Sequence, residues 1–97
     1  MIKTNFRESK EWASDEGYNV AFLREAERQL NSMLRLRGYI YENEMYQVLG
    51  IPWDPAKDNR LYLPREKQYE LYPGRFVIEY FSGSELLLIH DSAEEQP

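Results

Sequence analysis

Leu23, Ala26, Leu30, Met33 and Leu34 recur at spacings of three and four residues, with Phe22 on their flank. At about 100° per residue these side chains fall on one narrow stripe of an α-helix. A stripe of this length has to be covered, so it constrains the fold more than any other feature of the chain. Asn19 stands where an N-cap belongs. Gly38 follows as a C′ glycine, and Arg35 and Arg37 lie near the negative end of the helix dipole. The spacing predicts a helix over 20–37 whose apolar stripe forms the main wall of the core.

A second, shorter helix is expected from Glu42 to Leu49. Gly50 stops it and Pro52 follows two residues later. Glu44 falls at N3, and Ile40 and Met45 are placed for a hydrophobic staple. Tyr41 takes the N-cap position, where it cannot accept a backbone bond as serine would. Residues 51–66 then read as a loop, long for a small domain and hence a place for function. Within it, Leu61 to Leu63 reads as a short extended piece. The last third reads as strands over 67–72, 76–81 and 85–90. Pro73-Gly74 and Ser82-Gly83 supply the turns. The expected fold class is α+β, one long and one short helix packed on a three-stranded antiparallel β-meander. Residues 1–18 are expected to be weakly structured, with room for a short helix over about 6–14. Residues 19–90 form the single domain, and 91–97 a disordered acidic tail.

Composition narrows the functions open to such a domain. With 97 residues it holds one modest core. Cysteine is absent, which removes disulfides and thiolate chemistry. The net charge is −5, of which Asp91, Glu94 and Glu95 place −3 in the tail, so generic attraction to phosphate backbones is disfavoured. No segment resembles a signal peptide or approaches the ~20 apolar residues of a membrane helix. The expectation is a soluble protein of the host-cell cytoplasm with no membrane partner. Eight tyrosines suit a half-buried core edge or a binding surface.

The order of features is also familiar. Met45-Tyr46-Gln47-Val48-Leu49-Gly50-Ile51, then Asp58-Asn59, then a terminal hairpin, resembles a group of small phage and prophage proteins of unknown function. Those proteins carry an LYxxxGI-type helix end, a DN-containing loop and a β-hairpin. The resemblance covers about residues 22–90 of this chain. It departs at Leu61-Tyr62, where the group has an aromatic GW, and at Tyr41, where the group has a serine-like cap. What it implies is a phage context.

Candidate chemistry is sparse. His90 is the lone histidine, expected at the exposed end of a strand. Asp91 beside it would point to the opposite face, so no oriented acid–base pair forms. No cluster has zinc spacing. Asp54, Asp58 and Asn59 could offer oxygens to a hard cation, but Ala56 and Arg65 fill positions where a calcium loop needs ligands. Glu42 and Glu44 diverge by about 200° on a helix and share no site. No metal or cofactor is expected. Arg24, Arg28 and Arg35 fall within about 40° of one another on the long helix, a ridge able to track a phosphate backbone. Glu25 and Glu27 dilute it, and a solvated face is the preferred reading. Trp53 and Tyr62 lie in the proline-flanked loop. Trp53 reads equally as a plug beneath the second helix and as an aromatic hot spot for a partner.

The sequence therefore points to a non-enzymatic, protein-binding accessory protein of phage or prophage type. An inhibitor of a host defence enzyme, such as an anti-CRISPR protein, is its concrete form. Its partner would be a host or phage protein. Trp53 and Tyr62, with Tyr41, Asp54 and Asp58, are the candidate partner-binding residues. The alternatives are a self-associating virion or packaging accessory protein, and a nucleic-acid-binding module using the Arg24–Arg28–Arg35 ridge. The stripe assignment has a direct consequence. Leu30→Ala should cost about 2–5 kcal/mol, the range for truncating a buried leucine. A melting temperature equal to that of the wild type would refute it.

Overall fold

A computed structural model describes residues 2–57, 60–62 and 75–91. In chain order these are β1 (Ile2–Asn5), a 3-10 turn (Phe6–Glu8), α1 (Glu16–Arg37), β2 (Tyr39–Tyr41), α2 (Glu42–Leu49), a second 3-10 turn (Pro55–Lys57), β3 (Arg60–Tyr62), β4 (Phe76–Phe81) and β5 (Leu86–Asp91). β1, β5 and β4 form an antiparallel sheet in that order, and β2 pairs with β3. The architecture is α+β, with two helices and a three-stranded antiparallel sheet. No helix among the described residues is long and apolar enough to cross a membrane.

α1 starts one turn earlier than the spacing predicts. Asp15 is the N-cap, its carboxylate accepting from the Tyr18 N–H at 3.2 Å. Asn19 is spent elsewhere: its amide donates to the Ala13 carbonyl at 2.8 Å and accepts from the Ala13 N–H at 3.0 Å. The far end follows the expectation, with Gly38 at φ 84 and its N–H on the Leu34 carbonyl. A left-handed φ of that size excludes most side chains with a Cβ. The stripe is buried as predicted, with Leu23, Leu30 and Leu34 almost fully enclosed.

The third strand of the sheet comes from the N-terminus. β1 pairs with β5 from Ile2↔Ile89 to Asn5↔Leu86. The chain before α1 is thus a strand followed by a 3-10 turn, and the short helix for which 6–14 had room is confined to Phe6–Glu8, with Asn5 as its cap accepting from the Arg7 N–H at 2.8 Å. Phe6 leaves β1 into the core, where its ring meets Phe22 at 5.8 Å and Tyr80 at 5.9 Å. The strand expected over 67–72 lies outside the described residues, as do 92–97 of the expected tail. Asp91 itself is the last residue of β5, opposite Phe76.

The hairpin β4–β5 is closed by Ser82–Glu85, longer than the two-residue turn expected at Ser82-Gly83. Glu85 holds φ 60, a region that favours glycine. Its carboxylate accepts from Trp12 Nε1 at 3.1 Å and from the Tyr80 hydroxyl. These bonds tie the turn to the segment that precedes α1.

Among the described residues β4 is an edge strand, and α1 seals its outer edge with polar side chains. The Asn31 amide donates to the Phe76 carbonyl at 3.0 Å and accepts from the Phe76 N–H at 2.7 Å. One helical turn back, Glu27 accepts from the Ile78 N–H at 2.8 Å, and Arg24 donates to the Ile78 carbonyl at 2.7 Å. Arg24 and Glu27 also pair with each other at 3.0 Å. The match is geometric. Four helical residues rise about 6 Å, and two strand residues span about 6.7 Å. Helix side chains four apart therefore keep step with every second strand residue. Asn31→Ala removes both partners of Phe76 and should destabilise the fold by about 2–4 kcal/mol, from two stranded backbone groups. Denaturant titration would measure it, and faster hydrogen exchange at the Phe76 amide would localise it. Unchanged stability and exchange would show that water replaces the clamp at no cost.

Candidate protein-binding surface at the second helix

α2 follows β2 without a break, and its first turn is where the chain's candidate residues gather. Tyr41 is the last residue of β2 and the N-cap of α2. Its N–H donates to the Glu44 carboxylate at 3.0 Å, which is the half of a capping box that tyrosine permits. Glu44 also accepts from the Arg37 guanidinium at 2.7 Å. That bond, helped by the Tyr41 N–H and opposed by partial burial, holds the carboxyl below its usual range. Arg37 lies over the Tyr39 ring at 4.9 Å, and Tyr39 meets Tyr41 edge-to-face at 5.6 Å. Tyr41 is thus exposed in a fixed pose.

The loop after α2 is pinned by one buried side chain. The Asn43 amide donates to the Asp54 carbonyl at 2.9 Å and accepts from the Asp54 N–H at 3.2 Å. The Asp54 carboxylate turns back to the Ala56 N–H at 3.0 Å. Ile51 supplies the plug beneath α2, only 7% exposed, with its N–H on the Tyr46 carbonyl at 2.8 Å. Trp53 does not: it is 65% exposed between Pro52 and Pro55. Of its two sequence readings, the core plug is ruled out by that exposure.

The far end of α2 packs on the N-terminal segment. Gly50 has φ 77, and a Cβ there would lie 2.8 Å from Ser9 Oγ. Ser9 Oγ donates to the Leu49 carbonyl and Lys10 N–H to the Gly50 carbonyl. Beside this contact, a groove of about 350 Å³ runs between β1 and Ile51-Pro52, with Glu8, Tyr46 and Asp54 in its walls. The Tyr46 hydroxyl donates to the buried Glu42 carboxylate at 3.0 Å. Burial first, then that bond and the negative charges of Glu42, Glu8 and Asp54, pushes its pKa up to about 12.

The other sequence candidates are dispersed. Tyr62 is in β3 opposite Tyr39, so its backbone lies on the same side of the molecule as Tyr41. Asp58 lies outside the described residues. The arginine ridge is not a free cationic track. Arg24 is committed to Ile78 and Glu27, and Arg28 pairs with Glu25 at 2.6 Å; Arg35 is exposed. His90, expected at the surface, is 5% exposed with Nε2 2.8 Å from the Glu79 carboxylate. The two residues are diagonal neighbours across β4 and β5, because His90 is opposite Val77. Among the described residues no three His, Asp or Glu side chains gather to hold a metal ion. The residues missed from sequence are Asn43 and Asn31. Asparagine is a poor helix former, so its presence inside a helix beside an apolar stripe is the signal that was there to read.

A small α+β domain with this helix pair and sheet is what the described residues define. The chain belongs to a family of unknown function (DUF6353), whose model matches residues 3–59. That match runs from β1 through α2 to the Trp53 loop and leaves out β4 and β5. Searches of curated proteins and of solved structures gave no match.

Tyr46 supplies a test of the groove's electrostatics. Its folded pKa is raised from 10.0 to about 12, so between those values the unfolded chain binds fewer protons than the folded one. The Tyr46 contribution to stability is therefore present below pH 10 and lost as pH rises toward 12. A spectrophotometric titration should show a late-ionising group of tyrosines that includes Tyr46 beside the also raised Tyr18 and Tyr80, and Glu42→Gln should bring the Tyr46 component down. All eight tyrosines titrating together near pH 10 would contradict the structure of this site.

Proposed function

We propose that this chain works by binding another protein rather than by catalysis, through the face formed by Trp53 and the N-terminal end of α2. The observation that carries the reading is the contrast within two residues. Trp53 exposes most of its side chain, while the neighbouring Asp54 backbone is clamped by a buried asparagine. A large aromatic held on a stiff loop loses little entropy on binding, and tryptophan is enriched among residues that dominate interfaces. Tyr41, fixed by Tyr39 and exposed beside the start of the same helix, extends the face. An accessory role in a phage or prophage, with inhibition of a host defence enzyme as its sharpest form, is the version suggested by the resemblance of the 45–51 and 58–59 motifs.

The test is affinity capture from host cells with the wild-type chain and with Trp53→Ala. A hot spot contributes at least ~2 kcal/mol, roughly thirtyfold in affinity. Trp53→Ala should weaken the captured partner by that order, with melting temperature and circular dichroism unchanged. Equal affinity for both chains would remove this face from the mechanism.

A further inference from the structure

The two edges of the main sheet differ. β4 is sealed by Asn31, Glu27 and Arg24. β1, at the other edge, pairs only with β5 among the described residues. The Phe6 N–H donates to the Glu85 carbonyl at 2.8 Å. Read back along the register in steps of two, this places the backbone groups of Thr4 and Ile2 toward β5. Those of Lys3, and the Asn5 N–H, then face away from the sheet. Lys3, Thr4 and Asn5 line a groove of about 350 Å³ together with Glu8, Tyr46, Ile51, Pro52 and Asp54. A second hollow of about 350 Å³, lined by Ser9, Lys10, Gln47 and Gly50, shares Glu8, Ile51 and Pro52 with it.

The charge of the groove beside β1 is negative: Glu8 and Asp54 line it against one cation, Lys3, among its described lining residues, while Lys10 lines the second hollow. The Glu42 carboxylate sits behind Tyr46. An open strand edge supplies backbone pairing, which is indifferent to sequence, and the groove wall supplies the selection.

We propose that the β1 edge takes up an extended, basic peptide segment of a partner protein as a fourth, added strand. The Lys3 N–H and carbonyl and the Asn5 N–H pair with the segment's backbone. Glu8 and Asp54 receive its lysine or arginine side chains, and the alternate side chains lie against Tyr46 and Pro52. This rests on the reading that the chain binds protein and names the chemistry of what is bound; it does not use the Trp53 side chain.

The probe is a capped six-residue peptide alternating valine and lysine, titrated into the full chain by calorimetry and by amide chemical shifts. Its controls are the same peptide with glutamate for lysine, and the lysine peptide N-methylated at every backbone amide, which keeps the charge and loses every backbone donor. The lysine peptide should bind and shift the Lys3 and Asn5 amides, while both controls bind at least about tenfold more weakly, as for the loss of a backbone bond or two. Lys3→Ala removes a repelling cation and should bind as tightly or tighter. Lys3→Pro removes the same cation and also the outward N–H, at an edge position that tolerates proline, and should bind about tenfold more weakly. Charge alone predicts equal binding by these two variants. Undiminished binding by Lys3→Pro or by the N-methylated peptide would overturn the added strand. So would no binding of the lysine peptide. Should Lys3→Pro fail to fold, the N-methylated peptide and the Asn5 amide shift decide. Trp53→Ala should leave peptide binding intact, so loss of the captured partner without loss of the peptide reports on the Trp53 face alone.

Discussion

The structure depends on how α1 meets the edge of β4. An edge strand presents unpaired N–H and carbonyl groups that invite another chain. Small domains commonly blunt such an edge with charge or a bulge. Here the helix that covers the sheet with its apolar stripe also closes the edge with its flank, through Asn31 on Phe76 and Arg24 with Glu27 on Ile78. Apolar packing of Leu23, Leu30 and Leu34 is tolerant of small sliding, since dispersion is non-directional. The four edge bonds are not. They fix the axial position of the helix along the strand, and with it the register of the core.

The same device recurs. Asn19 on Ala13, Asn31 on Phe76 and Asn43 on Asp54 each give one donor and one acceptor to the backbone of a single residue. A primary amide has the geometry of a peptide group, so it pairs as a neighbouring strand would. All three are buried, where an unpaired polar group would be costly. Each holds a segment without regular structure of its own, or an edge, against a helix. A chain of this size has little apolar surface with which to fasten loops, and the amides do that work with direction as well as energy.

Periodicity made the helices legible, and turn chemistry made the hairpin so. Leu23 to Leu34, Gly38 and Gly50 read correctly because a stripe and a left-handed glycine are local signals. The helix start was misread because Asp15 and Asn19 are both good caps, and only tertiary contact with Ala13 decides which one is free. β1 was misread because four residues of Ile-Lys-Thr-Asn alternate too briefly to stand apart from coil; their strand character comes from β5, more than eighty residues away. His90 looked exposed for the same reason, since burial at a strand end is set by what packs there. Of the candidate site, Trp53 and Tyr41 were legible as aromatics in unusual places. The bond that Glu44 makes to the Tyr41 N–H was legible too, from its N3 position, whereas the clamp of Asn43 on Asp54 was not, because it acts across eleven residues.

These features together make the molecule two-sided. On the α1 flank every described edge group of Phe76 and Ile78 is satisfied, and two of the three ridge arginines are paired with glutamates. Around α2 the balance reverses: Trp53 is exposed, the Lys3 backbone is turned outward, and Glu8 and Asp54 line a groove. Both features of that second side hang on the same short helix. Asn43 in its first turn fixes Asp54 and hence Trp53, while Gly50 at its end admits Ser9 and so sets β1 and Glu8 beside the groove. A side chain at Gly50 would meet Ser9 Oγ at 2.8 Å and would be strained at φ 77. It would therefore displace the β1 side of the surface while leaving the Asn43–Asp54 clamp in place. The eight residues of α2 act as a bracket between two surfaces, tied to each by bonds at its ends and to the core by Met45, Tyr46 and Leu49.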